Sequence, residues 1–132
     1  MVNLLYSNSQ LMLERAMNFQ WTKQTAINDN IVNAETPNYK AKYVTFEEAL
    51  DASIRAAVHG DARRKVQSMR SAIDSSRPVV HVAEEESMRM DDNGVNVTEQ
   101  TTEATRNAYQ MSYTMDAINS NLSLLRTLIR GQ

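Results

Sequence analysis

The chain has 132 residues, of which 42% are hydrophobic, only eight are aromatic (one Trp, five Tyr, two Phe) and none is cysteine. Its 14 basic and 16 acidic residues leave a net charge of −2, so the chain as a whole offers no strong field to nucleic acid or to an anionic membrane. Without cysteine there are no disulfides, thiol nucleophiles or Cys-based zinc sites, and the length fits one domain with an aliphatic, methionine-containing core.

Charge divides the chain into three parts, with 5 Asp, Glu, Lys and Arg residues in 1–35, 19 in 36–97 and 6 in 98–132. The expected organisation follows these divisions: an N-terminal helix over 1–35, a central segment over 36–97 and a C-terminal helix over 98–132, together one structural unit. Between their apolar positions the ends use Asn, Gln, Ser and Thr, as in SNSQ and INSNLS. Surfaces of that kind can be covered by a neighbour without stranding buried charge.

The N-terminus carries no basic leader and no unbroken apolar core, and no run approaches the roughly 18 apolar residues a membrane helix needs. Neither a cleaved signal peptide nor a direct membrane span is expected. Leu5, Met12, Ala16, Phe19 and Ala26 keep heptad-compatible spacing, Lys23 interrupts the seam, and Ile27, Ile31 and Ala34 continue it on a rotated stripe. The Thr36-Pro37 pair is expected to stop this helix, because a residue before proline is pushed out of the α region and proline lacks an amide proton.

KAKYVTF (40–46) alternates as a short strand does. Thr45 and Glu48 fit the cap of a short helix holding Phe46, Leu50, Ile54 and Ala57 and ended by Gly60. Residues 61–78 have weak periodicity and read as mobile or only locally helical. VVHV (79–82) reads as a strand, and MRMDDNGVNV (88–97) as two alternating arms around an Asn-Gly turn.

The C-terminal part has the clearest period. Val97, Thr101, Ala104, Ala108, Met111, Met115, Ile118, Leu122, Leu125 and Ile129 alternate in steps of four and three, with no Gly or Pro before Gly131. Asn96 with Glu99 forms a capping-box-like start, and Arg126 and Arg130 suit the negative end of the helix dipole. A helix of this kind is marginal alone and needs a partner. The fold expected is mainly α, with long N- and C-terminal helices pairing as a coiled-coil-like layer and a small irregular or β central segment.

Candidate chemistry is sparse. His59 and His81 are the two histidines, 22 residues apart, and read as surface or structural groups. DDNG resembles part of a calcium loop, but aligning Gly94 with the loop glycine puts Arg89 and Gln100 at ligand positions one and twelve, so the match fails. RRK (63–65) beside EEE (84–86) reads as a solvated face, and three glycines in all supply no phosphate-cradling loop. No catalytic residue, cofactor, metal, nucleic acid or small-molecule substrate is assigned from the sequence, and an enzyme is not expected.

NDNIVNAETPNYKAKYVTFEEAL (28–50) resembles the signature of flagellar rod and hook proteins, an Asn-Ile-x-Asn-x-x-Thr-Pro-x-Tyr-Lys core closing an N-terminal helix. NGVNVTEQTTEATRNAYQMSYTMDAINSNLSLL (93–125) resembles the matching C-terminal helix of that family. The short chain, the Val-x-Phe-x-x-x-Leu run after Tyr-Lys and the small middle resemble a member of the proximal rod. Asn38 departs from the glycine frequent in the family, and Asn is the next residue most tolerant of a left-handed turn.

The resemblance implies a structural subunit of the flagellar basal-body rod, exported unfolded by the flagellar type III apparatus and polymerised in the periplasm. It implies as partners other rod proteins, further copies of the chain, the inner-ring base and the export gate. The residues expected to carry assembly are Asn30, Ile31, Asn33, Thr36, Pro37, Tyr39 and Lys40 at the corner, with Met111, Met115, Ile118, Leu122, Leu125 and Ile129 on the C-terminal seam. A soluble helical adaptor or export chaperone shares the seam and is the competing expectation, with a metal-free hydrolase the remote third.

Overall fold

The computed structural model describes residues 7–46, 51, 55, 62–83 and 95–131. Among them the chain is mainly helical, with a two-stranded sheet between the long terminal helices. The first helix, α1, spans Asn8–Val32 and starts at Ser7, whose side chain accepts from the Gln10 amide. It ends about one turn before the expected Thr36-Pro37 stop. The reason is Asn33, whose amide nitrogen atoms, backbone and side chain, both donate to the Asp29 carbonyl and turn the chain out early.

Strand β1 (Lys42–Thr45) follows, as the alternation of KAKYVTF predicts, and pairs antiparallel with β2 (Val79–Val82), the VVHV strand. Tyr43 lies opposite His81 in this register and their rings stack at 5.0 Å. The expected short helix over 46–57 falls largely outside the described residues. Asp51 and Arg55 are helical and form an i,i+4 ion pair of 2.6 Å. The two arms expected over 88–97 also lie outside them, apart from Val95, Asn96 and Val97.

Between the strands, α2 spans Ala62–Ser75, where the sequence reads as mobile or only locally helical. Its order comes from packing. Ile73 joins Leu11 of α1 and Phe46 in a buried cluster, flanked by Met12, Phe19 and Met69, with the Phe19 and Phe46 rings stacked at 5.4 Å. Arg15 pairs with Asp74 at 2.7 Å and Asn8 donates to the Val66 carbonyl, so α2 runs in the same direction as α1. Ala62, Val66, Met69 and Ile73 follow steps of four, three and four, so a short amphipathic stripe is present in the sequence and the expectation of weak periodicity is corrected.

The last helix, α3, spans Val97–Arg130. The Asn96 side chain accepts from the amides of Thr98 and Glu99, and Gly131 closes the other end at φ 69°, its N–H bonded to the Thr127 carbonyl. Helices α1 and α3 lie against each other in opposite directions: Asn30 meets Gln100, Lys23 meets Glu103 and Gln20 meets Thr114. This is the expected pairing of the chain's two ends.

Candidate functional site

The corner after α1 is organised by Asn30, which is fully buried. Its Nδ2 donates to the Lys42 carbonyl (2.8 Å) and to Gln100 Oε1 (2.9 Å), while its Oδ1 accepts from the Lys42 amide (2.7 Å) and the Tyr39 hydroxyl (3.3 Å). All four hydrogen-bonding positions of the side-chain amide are therefore used. Strand geometry explains why Lys42 is available. The Ala83 amide donates to the Ala41 carbonyl, which makes Ala41 and Ala83 a hydrogen-bonded pair and turns the N–H and C=O of Lys42 away from β2, toward α1. Asn30 completes that edge as a neighbouring strand would.

Around this hub, Thr36 donates through its backbone to the Asn33 carbonyl and through its hydroxyl to Asn33 Oδ1, and the Tyr39 amide reaches the Thr36 carbonyl. Asn38 takes φ 59°, the left-handed conformation that the resemblance anticipates there. Lys42 Nζ lies 2.9 Å from Asp29, and this hydrogen bond and charge hold the lysine above its ordinary pKa. Of the motif residues, Asn30 is buried, Ile31, Asn33 and Tyr39 are half-buried, and Thr36, Pro37 and Lys40 are exposed.

The seam between α1 and α3 is polar. Asn107, also fully buried, donates to the Gln20 carbonyl and to Gln24 Oε1, each at 2.9 Å. Gln20 Nε2 donates to the Thr114 hydroxyl at 2.9 Å. Lys23, the residue that interrupts the N-terminal apolar stripe, meets Glu103 at 2.9 Å, and Arg106 approaches the same carboxylate at 3.1 Å. The Lys23 hydrogen bond, with the charges of Lys23 and Arg106, holds Glu103 below the ordinary carboxylate pKa against the opposing effect of burial.

The expected C-terminal seam therefore divides in two. Ala104, Met111, Ile118 and Leu125, one column at every seventh residue, are half-buried, as is α1 along its side toward α3. The parallel column of Thr101, Ala108, Met115, Leu122 and Ile129 is exposed, Met115 at 49% and Ile129 at 74%. Leu124 and Leu128 are exposed as well. Side chains that search for a partner in the apolar pattern thus remain on the outer flank of the pair, while Gln20, Gln100, Asn107 and Thr114 occupy the seam. A signal for the three on α3 is present in the sequence, where Gln100, Asn107, Thr114 and Asn121 recur every seven residues as a polar column beside the apolar one.

Among the described residues no group of three or more His, Cys, Asp or Glu side chains comes together, and no helix is long and apolar enough to cross a membrane. An open groove lined by Trp21, Thr22, Thr25, Ala26, Asp29, Lys42 and Val80 lies between α1 and the ribbon. His81 shares a 2.7 Å hydrogen bond with Thr45 and is committed to the ribbon.

Fold and site together define a short, mainly helical chain with a hydrogen-bonded corner and one apolar helix edge left on its surface. No family model matches the chain. It is 32% identical over 129 residues to the flagellar basal body rod protein FlgB of Bacillus subtilis (strain 168), with 96% of this chain and 97% of that protein covered. The chain belongs to the family of FlgB flagellar basal body rod proteins.

Proposed function

We propose that this chain is a structural subunit of the proximal rod of the bacterial flagellar basal body. It assembles by helix–helix packing of its terminal helices and forms part of the drive shaft for motility. Its partners are further copies of itself, other rod proteins, the inner-ring base and the flagellar export gate, and it reaches the periplasmic side through the type III apparatus. No reaction is assigned to it.

The observation that carries this reading is the exposed column of Thr101, Ala108, Met115, Leu122 and Ile129 on a helix pair whose inner seam is already occupied. Contiguous apolar surface of this kind marks an interaction face. Contacts of one face with a different face, repeated by a screw rotation, build an open tube rather than a closed ring. The corner residues Thr36, Pro37 and Lys40 are exposed as well, where a neighbouring subunit can engage them.

The test is circular dichroism and sedimentation of the purified chain. The isolated chain is expected to associate into extended polymers, with helicity rising further as the exposed column finds neighbours. A species of defined small size that does not polymerise would instead favour a soluble adaptor.

A further inference from the structure

A helix seam made only of apolar columns would be degenerate in register. On α3 the column Ala104, Met111, Ile118 and Leu125 repeats at every seventh residue, and α1 carries Leu13, Gln20 and Ile27 at the same period. Sliding one helix past the other by a heptad, about 10.5 Å at 1.5 Å per residue, brings the apolar column of α3 back onto itself. The polar rungs remove that freedom. Asn107 uses Gln24 Oε1 and the Gln20 carbonyl as acceptors, and Thr114 takes the Gln20 amide. One heptad away, the places of Gln20 and Gln24 fall to Leu13 and Met17, or to Ile27 and Ile31. The backbone carbonyl that Asn107 meets at Gln20 has an equivalent in every register, but none of these side chains replaces the Gln24 Oε1 acceptor of buried Asn107 or the Gln20 Nε2 donor to Thr114.

The same rungs do not make the most stable seam available. The Thr114 hydroxyl donates to the Gln110 carbonyl, so it can only accept from Gln20, which fixes the Gln20 amide with its oxygen turned away. Asn107 is fixed likewise by its two acceptors. Gln20 Oε1 and Asn107 Oδ1 are both buried and receive no donor among the described residues. Buried acceptors left unanswered weaken the pair that contains them.

We propose that Gln20, Gln24, Asn107 and Thr114 are specificity-determining residues, which fix the register and partner choice of α1 and α3 at the expense of the stability an apolar seam would give. This goes beyond a role in the rod, since it concerns the isolated chain and is read there.

The chain has no cysteine, so introduced thiols report without background. Two reporters are compared under a short bis-maleimide: Lys23→Cys with Glu103→Cys, which meet in the observed register, and Lys23→Cys with Gln110→Cys, one heptad away. With the amides intact, only the 23–103 product is expected to form in quantity. In a Gln20→Leu/Asn107→Leu background the melting temperature should rise, and the 23–110 product should increase roughly tenfold or more, as expected when a buried unpaired amide no longer disfavours the slipped pair. A lower melting temperature, a failure to fold, or persistence of the 23–103 product alone in that background would overturn the proposal.

Discussion

The side-chain amide of Asn30 pairs with the backbone of Lys42 through both of its polar atoms, at 2.8 Å to the carbonyl and 2.7 Å from the N–H. One residue of a helix thereby serves as the missing neighbour of a strand, and it does so beside Gln100 of the other terminal helix. Asn30→Ala is expected to destabilise the chain by about 2–4 kcal/mol, because it leaves several buried partners unpaired at once. Asn30→Asp should also be destabilising, since a carboxylate cannot donate to Lys42 or Gln100. Chemical denaturation measures the first quantity, and hydrogen exchange at the Lys42 amide locates it.

Glu103 supplies a pH dependence with a definite sign. Its pKa is depressed in the folded chain, chiefly by the hydrogen bond from Lys23. Such a group contributes stability that is fully present above its unfolded value of about 4.3 and is lost as pH falls through the lower folded value. The melting temperature should therefore decline as the solution is acidified below that range. In Glu103→Gln the decline should be shallower, by the share that this carboxylate supplies; an unchanged slope would assign the acid sensitivity to other groups.

Phe46 joins the exit of β1 to the cluster that holds α2 on α1. Phe46→Ala should cost about 3–5 kcal/mol and should act locally. Exchange protection is expected to fall at Met69 and Ile73 well before it falls along residues 100–114 of α3, where the partner is α1.

Two substitutions on α3 separate assembly from folding. Leu122 is exposed on the outer column, so Leu122→Asp should leave the unfolding free energy of the isolated chain within about 0.5 kcal/mol of the parent while abolishing polymerisation and motility. Ile118 is half-buried on the column toward α1, so Ile118→Asp should lower both. Equal loss of stability in the two variants would contradict the division of the seam into inner and outer columns.

How much of this was legible depended on which residues carried the order. The α3 helix, its Asn96 cap, the two strands and the Thr-Pro corner rest on local signals, namely periodicity, capping chemistry and alternation, and all are visible in the residues themselves. Helix α2 is fixed by Met69 and Ile73 meeting Leu11 and Phe46 across distant parts of the chain, while its own stripe of Ala62, Val66, Met69 and Ile73 is short and set in an otherwise polar stretch. The inner seam escaped for a different reason. Apolar spacing traces the column with Met115 and Leu122, whereas the pair closes over the neighbouring column with Asn107 and Thr114, where amides and hydroxyls satisfy one another. Lys23 looks like a defect in the N-terminal stripe until Glu103 is seen across from it. The scarcity of charge between the apolar positions of both ends, with the heptad-spaced polar column on α3, is the clue that such side chains could be covered.

Because Asn30 meets Gln100, the point where the chain leaves the first long helix adjoins the point where it enters the second. Between these two points the described residues return along the first helix, with Asp74 against Arg15 and the Val66 carbonyl against Asn8. A change in the length of α2 would therefore be felt at the opposite end of the stem from the corner.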